Sequence, residues 1–182
     1  MMDLPKTLTV NGTEHLVISL LGKGKGGYSY LVERDGEKYV LKQIHHEPCE
    51  YYSFGNKIES EIRDYNTLLN VGIRMPKLFC VDVENERILK EYIDGETMMV
   101  LSQRGGVQET HIEQVIEMCN LLYPVGLNID YYPTNFIIQD EKLYYIDYEC
   151  NIYSDEWNFE NWGIKYWSQS SEFLEYIESH KV

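Results

Sequence analysis

The sequence predicts an α+β protein, with a β-rich front lobe that contains one helix and a mostly helical rear lobe. Short strand-like segments joined by turn dipeptides dominate the first 92 residues, whereas apolar residues at helical spacing follow Gly95. A length of 182 residues fits one ordinary domain or two small lobes. We therefore place the lobes at residues 1–92 and 93–182, with a short connector near residues 92–95.

Two β-hairpins are predicted at the start of the chain. The segments TLTV and TEHLVISLL flank Asn11-Gly12, and the segments YSYLVER and EKYVLKQI flank Asp35-Gly36. Asn-Gly and Asp-Gly tolerate the positive φ angles of a type I′ turn, which joins adjacent antiparallel strands. The front lobe therefore begins with four antiparallel strands.

A helix and two further strands complete the predicted front lobe. Met75-Pro76 ends the helical region, because the residue before proline resists the α conformation. The segments KLFCVDV and RILKEYI are predicted as a pair of strands. Apolar residues recur along the helix at steps of four, three and four, namely Ile58, Ile62, Tyr65 and Leu69.

The rear lobe is predicted to begin with a helix and to end in a tryptophan-rich tail of one or two short helices. Thr110 is the predicted N-cap, since Glu113 follows three residues later. The segments FIIQ and LYYID are predicted as a hairpin. The apolar residues that mark the helix are Ile112, Val115, Ile116, Cys119 and Leu122, and the tail carries Trp157, Trp162 and Trp167.

The bulk composition excludes several classes of protein. The chain is 43% hydrophobic, which is enough for a core. A net charge of −14 without an obvious basic patch argues against nucleic-acid binding, and no apolar run reaches the ~20 residues of a membrane span. The start lacks the basic and apolar regions of a signal peptide. A reduced, cytoplasmic protein is favoured over a disulfide framework or a zinc site by four widely spaced cysteines, Cys49, Cys80, Cys119 and Cys150.

A glycine-rich segment, GKGKGGYS, joins two of the predicted strands. Gly22, Gly24 and Gly27 form a G-x-G-x-x-G pattern. In a dinucleotide-binding unit this pattern opens a helix, and that interpretation fails because a strand follows here. Two interpretations remain: a flexible hairpin turn, or a flap whose backbone N–H groups approach phosphates closely because glycine has no Cβ.

A lysine and a glutamate of the front lobe are expected to pair. Lys42 lies among apolar neighbours in the strand YVLKQI, where a lysine either extends to solvent or binds a phosphate. On the following helix Glu61 shares a stripe with Ile58 and Leu68 and points inward, while Glu59 points outward. Because a buried unpaired carboxylate is costly, we expect Glu61 rather than Glu59 to bind Lys42.

Three polar side chains interrupt the aromatic segment NIDYYPTNFIIQDEKLYYIDYE of the rear lobe. Asp130, Asn135 and Asp147 carry oxygens that can bind a metal, and the carboxylates can also accept a proton. Taken singly, each has a structural explanation, which is an Asx turn for the first two and a strand-end cap for the third. Asp140 lies in an ordinary exposed turn and is left out of the site.

The ordered motifs of residues 18–149 resemble the protein-kinase-like superfamily. The glycine pattern precedes a lysine in V-L-K, which is similar to V-A-I-K, and Glu61 falls where that family has its helix glutamate. LKEYIDG resembles the hinge between kinase lobes, DYYPTN resembles the catalytic loop D-x-x-x-x-N, and IDYE resembles the D-F-G segment. IDYE and NWGIKYW are closer to the choline kinase and aminoglycoside phosphotransferase branch, or to compact kinases such as Kdo kinase and the RIO group.

The resemblance implies a two-lobed kinase-like fold with a minimal rear lobe, and ATP and Mg²⁺ as cofactors. Asp130 would be the catalytic base or would orient the substrate hydroxyl, and Asn135 and Asp147 would bind magnesium. The residues implied for nucleotide binding are Gly22, Gly24, Gly27, Lys42, Glu61 and the backbone groups of Glu91 and Ile93.

These features predict an ATP- and Mg²⁺-dependent phosphotransferase that acts on a hydroxyl group, with a small molecule as the expected acceptor. The alternatives are a compact atypical protein serine/threonine kinase and a pseudokinase that binds a nucleotide or a partner without catalysis. Tyr132 favours the pseudokinase, because protein kinases usually have Lys at this position and many small-molecule kinases have His. The aromatic residues around it either stack on an acceptor or belong to the core, namely Tyr131, Tyr132, Tyr153 and Trp157.

Overall fold

The computed structural model of the protein describes residues 4–47 and 56–179. The chain divides into two compact units, one made of residues 1–62 and 76–92 and the other of residues 63–75 and 93–182. In the described part of the chain no helix is long and apolar enough to cross a membrane. Cys80, Cys119 and Cys150 are free thiols, and Cys49 lies outside the described residues.

A six-stranded antiparallel sheet forms the first unit. Its strands are β1 (Thr7–Val10), β2 (Thr13–Lys23), β3 (Gly27–Arg34), β4 (Glu37–Ile44), β5 (Leu78–Asp82) and β6 (Arg87–Glu91). They lie in the order β1-β2-β3-β4-β6-β5. Both predicted hairpins are confirmed, since Asn11 and Gly12 have φ of 47° and 76°, and Asp35 and Gly36 have φ of 55° and 82°. All four angles lie in the left-handed region that a type I′ turn requires.

Asp82 links the two edge strands of this sheet, so that the sheet curls around an apolar core. Its Oδ2 accepts the backbone N–H of Asn11 at 2.7 Å, and its Oδ1 accepts the backbone N–H of Asn85 at 3.0 Å. These donors hold the pKa of Asp82 below its usual value of 3.8. The core enclosed by the curl consists of Val10, Tyr30, Val32, Leu41 and Leu89.

We expect Asp82→Asn to lower the free energy of unfolding at neutral pH. We also expect this free energy to change less with falling pH in the variant than in the wild type. The folded pKa lies below the unfolded one, so the carboxylate stabilises the fold fully above the unfolded pKa. This contribution is lost as the pH falls through the folded pKa. Urea unfolding at about pH 7 and about pH 2.5 checks this, because the difference between the two proteins should shrink in acid. An equal difference at both pH values would contradict it.

Helix α1 (Lys57–Val71) follows the first four strands, and its first six residues belong to the first unit. Leu68 is fully buried, as expected for the stripe that carries Glu61, whereas Leu69 of the apolar pattern is 52% exposed. Ile58, Glu61 and Leu68 fall on one stripe at steps of three and seven residues. Both stripes have the helical period, and packing rather than periodicity selected the one that contains Leu68.

The second unit combines small sheets with helices. The strands are β7 (Glu96–Thr97), β8 (Leu127–Asn128), β9 (Phe136–Gln139), β10 (Lys142–Tyr145) and β11 (Asn151–Ile152). They form a three-stranded sheet in the order β10-β9-β7 and a two-stranded ribbon of β8 and β11. The helices are α2 (Met98–Gln103), α3 (Glu109–Leu122) and α4 (Ser171–Ser179), with 3₁₀ turns at Tyr123–Val125, Pro133–Asn135, Asp155–Trp157 and Gly163–Tyr166. The predicted hairpin of FIIQ and LYYID is confirmed.

Helix α3 begins earlier than its sequence indicates. Its N-cap is Gln108, and the predicted N-cap Thr110 lies inside the helix, so that prediction is wrong. The N–H of Gln108 donates to Nδ1 of His111 at 3.1 Å, and the imidazole therefore satisfies a helix-end donor in place of a carboxylate. Helix α2 has only six residues, which is too short for a periodic signal, and the hydroxyl of Thr97 caps it.

Candidate active site

The glycine turn (residues 24–26) connects β2 and β3 in the first unit. Its ends are joined by a hydrogen bond from the N–H of Gly24 to the carbonyl of Gly27 at 2.9 Å. A Cβ at Gly27 would lie 2.5 Å from the carbonyl oxygen of Gln43, so this glycine lets β3 approach β4. Gly22 pairs with Ser29 in the sheet and has open space around it. Gly26, which lies outside the G-x-G-x-x-G pattern, is the glycine closest to the charged pair described next.

Lys42 on β4 and Glu61 on α1 are in contact, Nζ to Oε1. The two side chains are only 12% and 16% exposed, so their charges face each other largely away from water. Glu59, the rejected alternative, is exposed. A Cβ added to Gly26 would lie 3.9 Å from Nζ of Lys42 and 3.8 Å from Oε1 of Glu61. The backbone of the glycine turn therefore passes directly over the pair.

The residues of the predicted hinge belong to different units. Glu91 ends β6 in the first unit, where its N–H donates to the carbonyl of Lys77 at 2.9 Å and its Oε2 accepts the N–H of Lys77 at 3.0 Å. In the second unit Ile93 is buried, and the following N–H of Asp94 donates to Oε1 of Gln139 at 3.0 Å. Glu91 is thus fixed to Lys77, and the chain after Ile93 is fixed to β9.

Asp130 and Asn135 lie on one short loop of the second unit, between β8 and β9. Oδ1 of Asp130 accepts the N–H of Tyr132 at 3.0 Å, as an Asx turn requires. The amide nitrogen of Asn135 donates to the carbonyl of Asp130 at 3.3 Å, and its amide oxygen accepts from the hydroxyl of Thr134 at 3.5 Å and keeps a second lone pair. The structural explanation of these two residues and a role as ligands are therefore compatible.

Asp147 lies on the neighbouring segment, between β10 and β11. The N–H of Ile146 donates to the carbonyl of Asn135 at 2.8 Å, which joins this segment to the loop of Asp130. On either side the segments are held by strand pairs, namely β8 with β11 and β9 with β10. Long-range pairing therefore brings Asp130, Asn135 and Asp147 together in the second unit.

The buried Tyr145 lies close enough to Asp130 and Asp147 for their negative charges to affect its pKa. Its side chain is fully buried, and its hydroxyl donates to the carbonyl of Glu149 at 2.9 Å. Burial raises the pKa of Tyr145 well above its usual value, and the charges of Asp147 and Asp130 raise it further. Sequence reasoning missed this residue, although it lies two residues before Asp147 within the predicted strand LYYID.

The tail of the second unit packs against the loop between β8 and β9 through Trp167 and Gly163. Tyr131 is fully buried, and its carbonyl accepts a hydrogen bond from Nε1 of Trp167 at 2.7 Å. Gly163 packs so closely that a Cβ there would lie 2.6 Å from Cβ of Tyr131. The side chain of Tyr131 therefore belongs to the core, which is one of the two interpretations that the sequence left open.

Tyr132 packs into an aromatic cluster of the tail. Its ring centroid lies 5.3 Å from that of Tyr166, 5.5 Å from that of Tyr176 and 6.4 Å from that of Trp162. Burial raises the pKa of the Tyr132 hydroxyl far above its usual range. The ring that replaces Lys or His at this position is therefore a packed, uncharged side chain.

The oxygen atoms around the loop fit a magnesium ion that takes only some of its ligands from the protein and the others from phosphates. Asn135 and Asp147 offer an amide oxygen and a carboxylate, and Mg²⁺ prefers oxygen ligands, with one or two protein carboxylates and the rest from phosphates and water. Within residues 4–47 and 56–179 no three His, Cys, Asp or Glu side chains form a cluster for a metal. The described residues therefore do not form a high-affinity metal site from protein ligands alone.

Comparisons with known proteins bear on the fold of the chain. No family model matches the sequence. Over 106 residues the chain is 27% identical to the EKC/KEOPS complex subunit bud32 of Dictyostelium discoideum, and the match covers 54% of this chain and 42% of that relative. The matched part of the chain thus spans less than half of the relative's length. The crystal structure of a kinase domain is similar over 85% of this chain and 56% of that chain, with a TM-score of 0.56 at 15% identity. The predicted two-lobed, kinase-like α+β fold is confirmed.

Proposed function

We propose that this chain, a member of the protein-kinase-like superfamily, transfers the γ-phosphoryl group of Mg-ATP to a hydroxyl group. The observation that carries the proposal is the bond between Ile146 and Asn135, which sets the segment of Asp147 beside the loop of Asp130. Phosphoryl transfer needs oxygen ligands for Mg²⁺, a cation on the phosphates and an acceptor for the hydroxyl proton. The described residues offer each of these groups.

The charged residues and Asn135 each have a defined part in the proposed reaction. Lys42, oriented by Glu61, would bind phosphate oxygens, and Asn135 and Asp147 would hold a magnesium ion. Bound Mg²⁺ would neutralise charge on the phosphates. Asp130 accepts the proton of the acceptor hydroxyl. At the same time the hydroxyl oxygen forms a bond to the γ-phosphorus, and the bond between that phosphorus and the leaving ADP breaks. The Tyr132 N–H bond holds the Asp130 carboxylate in one orientation.

A small molecule is the favoured acceptor. Four residues after Asp147 the chain enters β11, which pairs with β8. The rest of the described tail packs its 3₁₀ turns and α4 around Tyr131 and Tyr132. A long segment that could align a protein substrate beside Asp130 is thus absent from residues 148–179, which supports a small acceptor over a protein.

A second candidate is a nucleotide-binding subunit without transfer activity. The packed, uncharged ring of Tyr132 favours it, because no cation is supplied from this position. The relative from Dictyostelium is itself named as a subunit of a complex. Both functions bind Mg-ATP, and only the first produces a phosphorylated acceptor, which is either a small molecule or, for an atypical protein kinase, a Ser or Thr side chain.

Mg-ATP should raise the melting temperature of the wild type, and Asp147→Asn should remove most of the magnesium-dependent part. A ligand that binds only the folded state stabilises it by about 2.7 kcal/mol at a concentration 100 times Kd. Thermal shift measurements with ATP, with and without Mg²⁺, check this. Asp140→Asn is the matched control, because Asp140 is exposed in the β9–β10 turn. A folded wild type without a shift at millimolar Mg-ATP would defeat the proposal.

Transfer itself is tested with a panel of sugars, amino alcohols, aminoglycosides and Ser/Thr-containing protein. The chain should label a small hydroxyl compound from ATP in the presence of Mg²⁺. Labelling of protein alone would favour the atypical protein kinase. Mg-ATP binding without any labelling would favour the subunit without transfer activity.

A further inference from the structure

His45 and Lys57 tie the glycine turn (residues 24–26) to the rest of the first unit. The N–H of His45 donates to the carbonyl of Gly26 at 3.3 Å, and Nε2 of its ring lies 3.0 Å from the carbonyl oxygen of Gly24. The carbonyl of His45 in turn accepts Nζ of Lys57 at 2.5 Å. One residue therefore contacts the turn twice and connects it to the first residue of α1.

The hydrogen-bond partners define the state of the His45 ring. A carbonyl can only accept, so Nε2 must carry the hydrogen that binds Gly24. Nδ1 accepts the backbone N–H of Glu47 at 3.2 Å, so it must be unprotonated. The arrangement therefore requires the neutral imidazole, and a second proton on Nδ1 would break the bond to Glu47.

Lys57 makes the same connection from the helix. Its side chain is 5% exposed, and Nζ also lies 3.5 Å from the carbonyl oxygen of Lys25 in the turn. Four residues further along α1 is Glu61, the partner of Lys42. The turn and the Lys42–Glu61 pair are therefore held by the same stretch of helix, and Gly26 lies over that pair.

We propose that His45 and Lys57 are positioning residues that hold the glycine turn over the Lys42–Glu61 pair and so fix the turn against the phosphate groups of a nucleotide. Their effect on phosphates rests on the proposed function, whereas their hold on the turn does not. Neither side chain touches the nucleotide in this role. Both act through the backbone of residues 24–26.

Several other polar and charged side chains lie near His45. Lys23 binds Glu47 at 2.6 Å, and this hydrogen bond lowers the pKa of Glu47 and raises that of Lys23. Tyr28, whose ring lies 5.2 Å from that of His45, also donates to Glu47 at 2.5 Å. The other imidazole of the segment is His46, which binds Glu86 at 2.6 Å and does not bind the turn.

The first test compares His45→Phe and Lys57→Met with the matched control His46→Phe. We expect each of the first two to raise the Kd for Mg-ATP about three- to tenfold, the effect of losing one or two net hydrogen bonds, and to leave the Kd for adenosine unchanged. The control should leave both constants unchanged. Equal weakening of Mg-ATP and adenosine, or no weakening of either, would overturn the proposal.

A second measurement needs no nucleotide. Imidazole ¹⁵N shifts should place the hydrogen of His45 on Nε2, and hydrogen exchange at the Gly24 amide should be faster in His45→Phe than in the wild type. A hydrogen on Nδ1, or unchanged exchange in both His45→Phe and Lys57→Met, would overturn the hold on the turn. If these signatures are present and the wild type does not bind Mg-ATP, the proposed function fails and only the hold on the turn stands.

Discussion

Asp130→Asn should lower phosphoryl transfer by about 10²- to 10⁴-fold, the usual effect of a lost acid–base group, while Mg-ATP affinity stays within a few-fold of wild type. The structure explains why the change is specific. Oδ1 of Asp130 accepts the N–H of Tyr132, and an asparagine oxygen can accept the same bond. The carbonyl that accepts the side chain of Asn135 belongs to the backbone and is unaffected. Only the charge and the ability to take a proton are removed.

The measurements are single-turnover transfer to the identified acceptor and Mg-ATP binding by calorimetry. Asp140→Asn makes the same chemical change on an exposed turn of the same unit and should leave both quantities unchanged. Equal loss of binding and transfer in Asp130→Asn would show that Asp130 holds the nucleotide complex rather than the acceptor hydroxyl. Wild type and Asp130→Asn with indistinguishable transfer would remove Asp130 from the mechanism.

Lys42→Met and Glu61→Gln should each reduce transfer strongly, and the double variant should lose less than the product of the two. The two charges are in contact and mostly shielded from water, so removing one leaves the other without its main compensation. Oε2 of Glu61 is buried and makes no hydrogen bond to the described residues, which adds to this effect. We expect the fold loss of transfer in the double variant to be smaller than the product of the two single losses by a factor of about five or more, which is a coupling of about 1 kcal/mol or more.

Glu59→Gln is the matched control for this cycle. Glu59 is exposed on the same helix, two residues from Glu61, so its loss should change transfer little. Transfer rates and chemical unfolding of all four proteins separate a catalytic effect from a loss of stability. Losses of Lys42 and Glu61 that multiply independently, or a larger effect at Glu59, would show that the wrong carboxylate was assigned to the lysine.

Local turn chemistry made the front of the fold predictable. Asn11-Gly12 and Asp35-Gly36 adopt positive φ at positions read directly from the dipeptides, and the strands on either side follow. The choice of Glu61 over Glu59 was also accessible, because a helix of known period has a fixed inner stripe once Ile58 is placed inside. These features depend on a few neighbouring residues, which a sequence displays.

Features that depend on distant partners were not predictable in the same way. The N-cap of α3 uses His111, which is not the usual capping residue, and Leu69 of α1 is exposed although it follows the apolar period of the helix. The sequence left two interpretations open for Tyr131, and only the structure selects the core, because Trp167 binds its carbonyl and Gly163 packs against its side chain. A helical or strand period contains no information on which distant side chain will cover a residue.

The sequence by itself determined the order of the chemistry along the chain, from the glycine pattern and Lys42 to Asp130 and Asp147, because residue types and their spacing are local properties. Tertiary structure alone decided how these groups are held. Pairing of β8 with β11 sets the segment of Asp147 beside the loop of Asp130, and His45 and Lys57 fasten the glycine turn. Such contacts join residues far apart in sequence, so they form only when the folding of each unit compensates the entropy of closing the intervening chain.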